Sequence, residues 1–165
     1  LRLPTERYYE EEGRAELTPR DFGILMHRVF ENAATTDEIY MAIEAMTQDG
    51  VLDEKEAPRL RELVEKALAD PVTAEWFGGR WQVVRNENEI ILPGSGTTRR
   101  PDRVMTDGER AVVVDYKFGD RETARHRKQI REYLRLLRQM GYTRTEGYLW
   151  YVRLGRTERV EEKED

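Results

Sequence analysis

The sequence predicts a layered α/β domain with helices first, then strands, one more helix and closing strands. Three observations predict it. Apolar residues recur at three- and four-residue steps through the first half. Extended, β-branched and aromatic runs take over near residue 80. A long, basic amphipathic stretch then separates the later strands. The 165 residues suit one domain better than two.

Residues 1–20 are polar, carry Glu10-Glu11-Glu12-Gly13, and read as a poorly ordered lead-in segment. Thr18-Pro19 opens a helix whose Phe22, Leu25, Met26, Val29 and Phe30 form one apolar stripe. A second helix fits 37–48, with Ile39, Ile43 and Met46 inward, and stops at Asp49-Gly50. A third fits 54–69, with Leu60, Leu63, Val64, Ala67 and Leu68 inward. Pro71 is expected to end it, and a turn through Trp76-Phe77 closes at Gly78-Gly79. Residues 21–79 are therefore a helical part.

Residues 80–160 hold the sheet. Strands fit 81–85 and 87–92, followed by a loop at Pro93-Gly94-Ser95-Gly96. Strands at 103–106 and 111–118 flank Asp107-Gly108, a strong short hairpin signal. A helix fits 122–140, with Ile130, Tyr133, Leu134, Leu137 and Met140 inward and Gly141 as its cap. A strand at 147–154, a turn at Gly155-Arg156 and an edge strand at 158–161 follow, and 161–165 form an acidic tail.

Charge is unevenly placed. A net −5 and an isoelectric point near 5.3 argue, at face value, against nucleic acid as a partner. Residues 1–96 carry 11 basic and 20 acidic side chains (−9), whereas 97–159 carry 16 and 9 (+7), so one region still suits an anionic polymer. With no cysteine, a disulfide scaffold, a cysteine nucleophile, a thiolate zinc site and an iron–sulfur cluster are all excluded. No apolar run approaches the roughly 18 residues of a membrane span, and the start lacks a signal-peptide pattern. A cytoplasmic protein without membrane attachment is expected, and the absence of an initiator Met suggests a piece of a longer chain.

The sharpest cluster is Pro101-Asp102 followed, twelve residues later, by Asp115-Tyr116-Lys117. If Asp107-Gly108 is the hairpin loop, Thr106 pairs with Glu109 and Asp102 lies opposite Val113. Asp102, Asp115 and Lys117 then share a face, with the two carboxylates as diagonal neighbours about 7–8 Å apart. Such a pair can lean onto one divalent cation. Ionised groups ending the apolar run Ala111-Val112-Val113-Val114 are costly unless paired or metal-bound, although an Asp–Lys pair at a strand end meets the same need. His27 lies just off the apolar stripe of the first helix and reads as a packed histidine or a metal ligand. Gln129 and Tyr133 share a face of the last helix. Arg121, Arg125, Arg127, Lys128, Arg131, Arg135 and Arg138 stud the remainder, as a phosphate backbone would require or as a solvated face would allow.

Together these segments resemble the PD-(D/E)XK nuclease superfamily, and within it the carboxyl-terminal nuclease domain of RecB/AddA-type helicase–nucleases. The carrying segments are Gly23 to Phe30 with His27, Arg100-Pro101-Asp102-Arg103-Val104, Val113 to Gly119 with Asp115-Tyr116-Lys117, and Gln129-Ile130-Arg131-Glu132-Tyr133. The resemblance implies a restriction-endonuclease-like core, a mixed central sheet flanked by helices in the order α-β-β-β-α-β, with an added N-terminal helical part. It implies a single nuclease domain over 21–160 that hydrolyses DNA phosphodiester bonds with Mg2+ or Mn2+. His27, Asp102, Asp115 and the backbone carbonyl of Tyr116 would be the metal ligands, and Asp102, Asp115 and Lys117 the catalytic set. Glu87, with Glu89 as its rival, Arg103, Gln129, Tyr133, Arg125 and Lys128 would support the site or the bound strand. Partners would be DNA, parent helicase domains, which alone would use ATP, and a second helicase–nuclease subunit, all in double-strand break repair and recombination. No ATP-binding loop occurs in this chain, because Gly94-Ser95-Gly96-Thr97-Thr98 lacks the required Lys. The competing expectation is a non-catalytic DNA-binding or scaffold module that retains the nuclease fold.

Overall fold

The computed structural model describes residues 9–11, 14–16, 19–86, 90–91, 98–119 and 124–163. In chain order they form β1 (Tyr9–Glu11), β2 (Arg14–Glu16), α1 (Pro19–Phe30), α2 (Thr36–Gln48), α3 (Glu56–Ala67), α4 (Pro71–Trp76), β3 (Val83–Asn86), β4 (Ile90–Ile91), β5 (Thr98–Arg99), β6 (Arg103–Asp107), β7 (Arg110–Lys117), α5 (Ala124–Gln139), β8 (Arg144–Tyr151) and β9 (Arg156–Val160). A mixed sheet in the order β3-β6-β7-β8-β9 is the centre of the fold. Its β7–β8 pair is parallel, with α5 as the crossover, and its other pairs are antiparallel. The expected mixed sheet with flanking helices is thus present.

Three helices, α2, α3 and α4, begin where polar side chains satisfy their first N–H groups. Thr35 Oγ1 accepts from Glu38 N, and Glu38 Oε2 accepts from Ala34 N. Asp53 Oδ1 accepts from Lys55 and Glu56, while Glu56 Oε2 accepts in return from Asp53 N. Pro71 does not simply end α3. With Asp70 capping Val72 N, it begins the six-residue α4, a position where its missing N–H costs nothing.

Strand alternation divides the interior into two cores. Val112, Val114, Tyr116 and Trp150 face α1–α4 and pack on Leu25, Phe30, Ile43 and Trp76. Ala111, Val113, Leu149 and Tyr151 face α5 and pack on Ile130, Tyr133, Leu134 and Leu137. β7 therefore serves both cores, and residues Ala111 to Val114 are completely buried.

Several expectations are corrected. β1 and β2, for which no strand is expected, pair with each other; three-residue strands carry too little alternation to register in a polar sequence. β5 pairs with β4 and was not anticipated. Met140 is exposed, because α5 ends at Gln139 and Gly141, at φ +104°, turns the chain away. β8 starts at Arg144 and stops at Tyr151 rather than running to Leu154.

Candidate active site

The β6–β7 hairpin sets the geometry. Asp107 pairs with Arg110, so the two-residue loop is Gly108-Glu109 rather than Asp107-Gly108. Arg110 is held in the strand by Glu75 and Glu146, each at 2.6 Å, and by the Trp81 ring at 4.8 Å, while Gly108 takes the positive φ of the turn. The register is displaced by two residues from the expected one, and a shift of two preserves which face each side chain occupies. Val113 lies opposite Val104, and Arg103 opposite Val114. Continuing that register by one residue puts Asp102 directly across from Asp115, not diagonal to it.

The two aspartates are latched to each other's backbone. Asp102 N donates to Asp115 Oδ1 at 3.1 Å, and Tyr116 N donates to Asp102 Oδ2 at 2.7 Å. Lys117 Nζ lies 4.0 Å from Asp115 Oδ2. His27 arrives from α1, with Nδ1 3.7 Å from Asp102 Oδ1 and its ring edge-on to Phe118 at 4.8 Å. Gly23, one turn earlier, keeps α1 close to this strand end, since a Cβ there would already touch Phe118. The Tyr116 ring turns to the opposite face, against Phe30 and Trp150, which leaves its backbone between the two charged side chains.

Burial is graded across the group. Asp115 is only 4% exposed, whereas the Asp102, Lys117 and His27 side chains are 18%, 21% and 38% exposed. Desolvation raises the Asp115 carboxyl above its ordinary pKa, opposed by the Lys117 charge and the Asp102 N–H. The arrangement places a desolvated carboxylate, a half-open carboxylate, an imidazole and an ammonium at one solvent-reaching edge.

The donor types fit a hard divalent cation, with carboxylate oxygens and one imidazole nitrogen. His27, Asp102 and Asp115 run as a chain rather than around one point. Among the described residues no three His, Cys, Asp or Glu side chains converge as a ready-made metal site.

The helix residues divide into two groups. Gln129 Nε2 donates to Tyr133 OH at 3.1 Å, and Tyr133 is fully buried in the layer covering the Asp115 face of the sheet. Arg125 and Lys128 are exposed. Lys128 also lines a groove of about 520 Å³ with Arg131, Glu132, Arg135, Glu162 and Lys163. Arg127 is paired with Glu158, and Arg138 with Glu162. Glu87 and Glu89 lie outside the described residues.

Arg103, expected to support the site or the bound strand, is completely buried and bonded to three backbone carbonyls and Asn86 Oδ1, which leaves it no surface to offer DNA. The signal was in the alternation, since Arg103 shares its strand face with Met105, a core residue.

A comparison with curated proteins finds no match. Members of the PD-(D/E)XK nuclease superfamily are typically nucleases that use divalent metals such as Mg2+. The sequence matches that superfamily along its whole length, residues 1–165, and with a mixed sheet whose β7 carries the Asp-x-Lys segment beside the Pro-Asp pair that leads into β6, the chain belongs to it.

Proposed function

We propose that the chain is a metal-dependent deoxyribonuclease domain, acting as an exonuclease or endonuclease on DNA phosphodiester bonds. It works as the nuclease part of an ATP-dependent, cytoplasmic helicase–nuclease in double-strand break repair and recombination. The observation that carries the catalytic reading is the reciprocal latch of Asp102 and Asp115 beside Lys117, at the end of a strand otherwise buried. The helicase context is supported by the order of the His27, Pro101-Asp102, Asp115-Tyr116-Lys117 and Gln129/Tyr133 segments.

Asp102, Asp115, His27 and the Tyr116 carbonyl are the groups that would hold Mg2+ or Mn2+. When bound, such a cation offsets the charge that develops on phosphate oxygens and makes water more acidic. The protein's own groups do the rest. Asp115, fixed by the Asp102 N–H, presents its second oxygen to Lys117 and so keeps that ammonium at the site edge. Lys117 offers N–H donors and positive charge to a phosphate oxygen and orients the attacking water. The Gln129–Tyr133 bond stiffens the helix face above Asp115, and Arg125 and Lys128 contact the phosphate backbone.

The test is degradation of linear DNA by the purified chain with Mg2+ or Mn2+ and no ATP. Asp115→Ala and Lys117→Ala are each expected to lower the rate on the order of a hundredfold or more. Cutting at the normal rate by both variants would overturn the assignment.

A further inference from the structure

Arg103 occupies a position where its type is costly. Strand alternation sends it into the helical layer with Met105, and it has no exposed surface. Its two terminal nitrogens are held by a set of fixed acceptors, while its buried Nε has no hydrogen-bond partner among the described residues. Nη1 donates to Ala33 O at 2.5 Å and Asn86 Oδ1 at 3.1 Å, and Nη2 to Trp76 O at 2.7 Å and Ala34 O at 2.9 Å. The guanidinium also stacks on the Phe77 ring, 3.9 Å from its centroid. These acceptors come from three places: the turn directly after α1, the last residue of α4, and the end of β3.

Stability alone is a weak reason for a buried cation here, because well-packed apolar residues often replace buried charged groups at no loss. What an apolar side chain cannot do is fix several carbonyls in set directions, which the planar donor fork does. The elements joined are the informative part. Arg103 follows Asp102 directly, and the turn it grips ends the helix that carries His27.

We propose that Arg103 is a positioning residue: it locks the end of α1 to β6 and so holds the His27 imidazole against the Asp102 carboxylate. Its importance for cleavage rests on the nuclease reading; its effect on His27 does not.

The experiment compares Arg103→Met and Arg103→Lys with Val64→Ala, a fully buried α3 site that serves as a control for general destabilisation. Folding is followed by circular dichroism. The readout in metal-free protein is the NMR signal of the His27 ring, identified with His27→Ala, and its nuclear Overhauser contact with the Phe118 ring. Both Arg103 variants are expected to shift the His27 signals and weaken that contact; Val64→Ala is expected to leave them in place. If Arg103→Met does not fold, the Lys variant decides, since it keeps the charge but loses the fork. In a parallel Mn2+ titration, Arg103 variants are expected to bind about tenfold or more weakly than the parent chain. Unchanged His27 signals and contact in a folded Arg103 variant overturn the proposal. If the parent chain binds no Mn2+ while His27 still moves in the Arg103 variants, the positioning role stands and the metal-site reading fails.

Discussion

Asp102 has a structural duty besides the chemical one proposed for it. Its Oδ2 is the acceptor for Tyr116 N at 2.7 Å, in a strand where Tyr116 itself is buried. Removing that oxygen strands a buried N–H, at a cost of about 1–3 kcal/mol. Asp102→Ala is therefore expected to lose stability in urea unfolding by about that amount, as well as activity. Asp102→Asn, which keeps an acceptor oxygen, is expected to stay close to the parent in stability and still lose cleavage. Equal destabilisation by both would show that charge, not the hydrogen bond, holds this corner. Sharing a face was legible in the sequence for Asp102, Asp115 and Lys117, because alternation survives any even shift of register. The direct pairing was not, since it depends on Arg110 being held by Glu75 and Glu146 from elements distant in the chain. The buried network of Arg103 was hidden for a related reason: three of its four acceptors are backbone carbonyls, which carry no sequence signature.

At the scale of elements, the contact between α5 and the sheet positions the Gln129–Tyr133 pair, and Gly147 is what lets it close. A Cβ built on Gly147 would lie 2.4 Å from Ile130 Cγ2 and 3.2 Å from Leu134 Cδ1, so even one methyl forces the helix outward. Gly147→Ala is expected to cost about 1–3 kcal/mol in chemical denaturation. Because the clash is with one methyl, Ile130→Ala in the same chain should relieve part of it, so that the double variant loses less than the two single losses combined. Strict additivity would place the strain elsewhere. The helices themselves were the most legible part of the fold: the stripes from Leu25 to Phe30 and from Ile130 to Leu137 are long enough for their period to be unambiguous, and all of these apolar residues are buried. Short strands such as β1, β2 and β5 were not legible, because two or three residues show no period at all. Pro71 was misread because a proline that ends one helix and a proline that starts the next look alike until Asp70 is seen capping Val72 N.

For the whole molecule, the net charge of −5 describes neither half. The acidic excess belongs to residues 1–96, which include all of α1–α4, and the basic excess to 97–159, which include β6, β7 and α5. A polyanion is repelled by the first region and attracted by the second, so the field orients it before contact. Lys128, Arg131 and Arg135 recur at three- and four-residue steps on the outer side of α5 and line the same groove, although Glu132 and Glu162 within it temper the charge. Each phosphate neutralised on a single strand contributes about 0.7 to the slope of log affinity against log salt. Converting Lys128, Arg131 and Arg135 together to Gln is therefore expected to reduce that slope by about 2 units. Binding is measured by fluorescence anisotropy on single-stranded DNA in EDTA, where cleavage does not intervene. The Lys117→Ala variant, which removes a charge at the proposed active site rather than in the groove, is expected to change the slope by less than 1 unit. If the triple variant keeps the parental slope, the strand does not follow α5, and the basic helix is a solvated face that merely balances the acidic layer across the sheet.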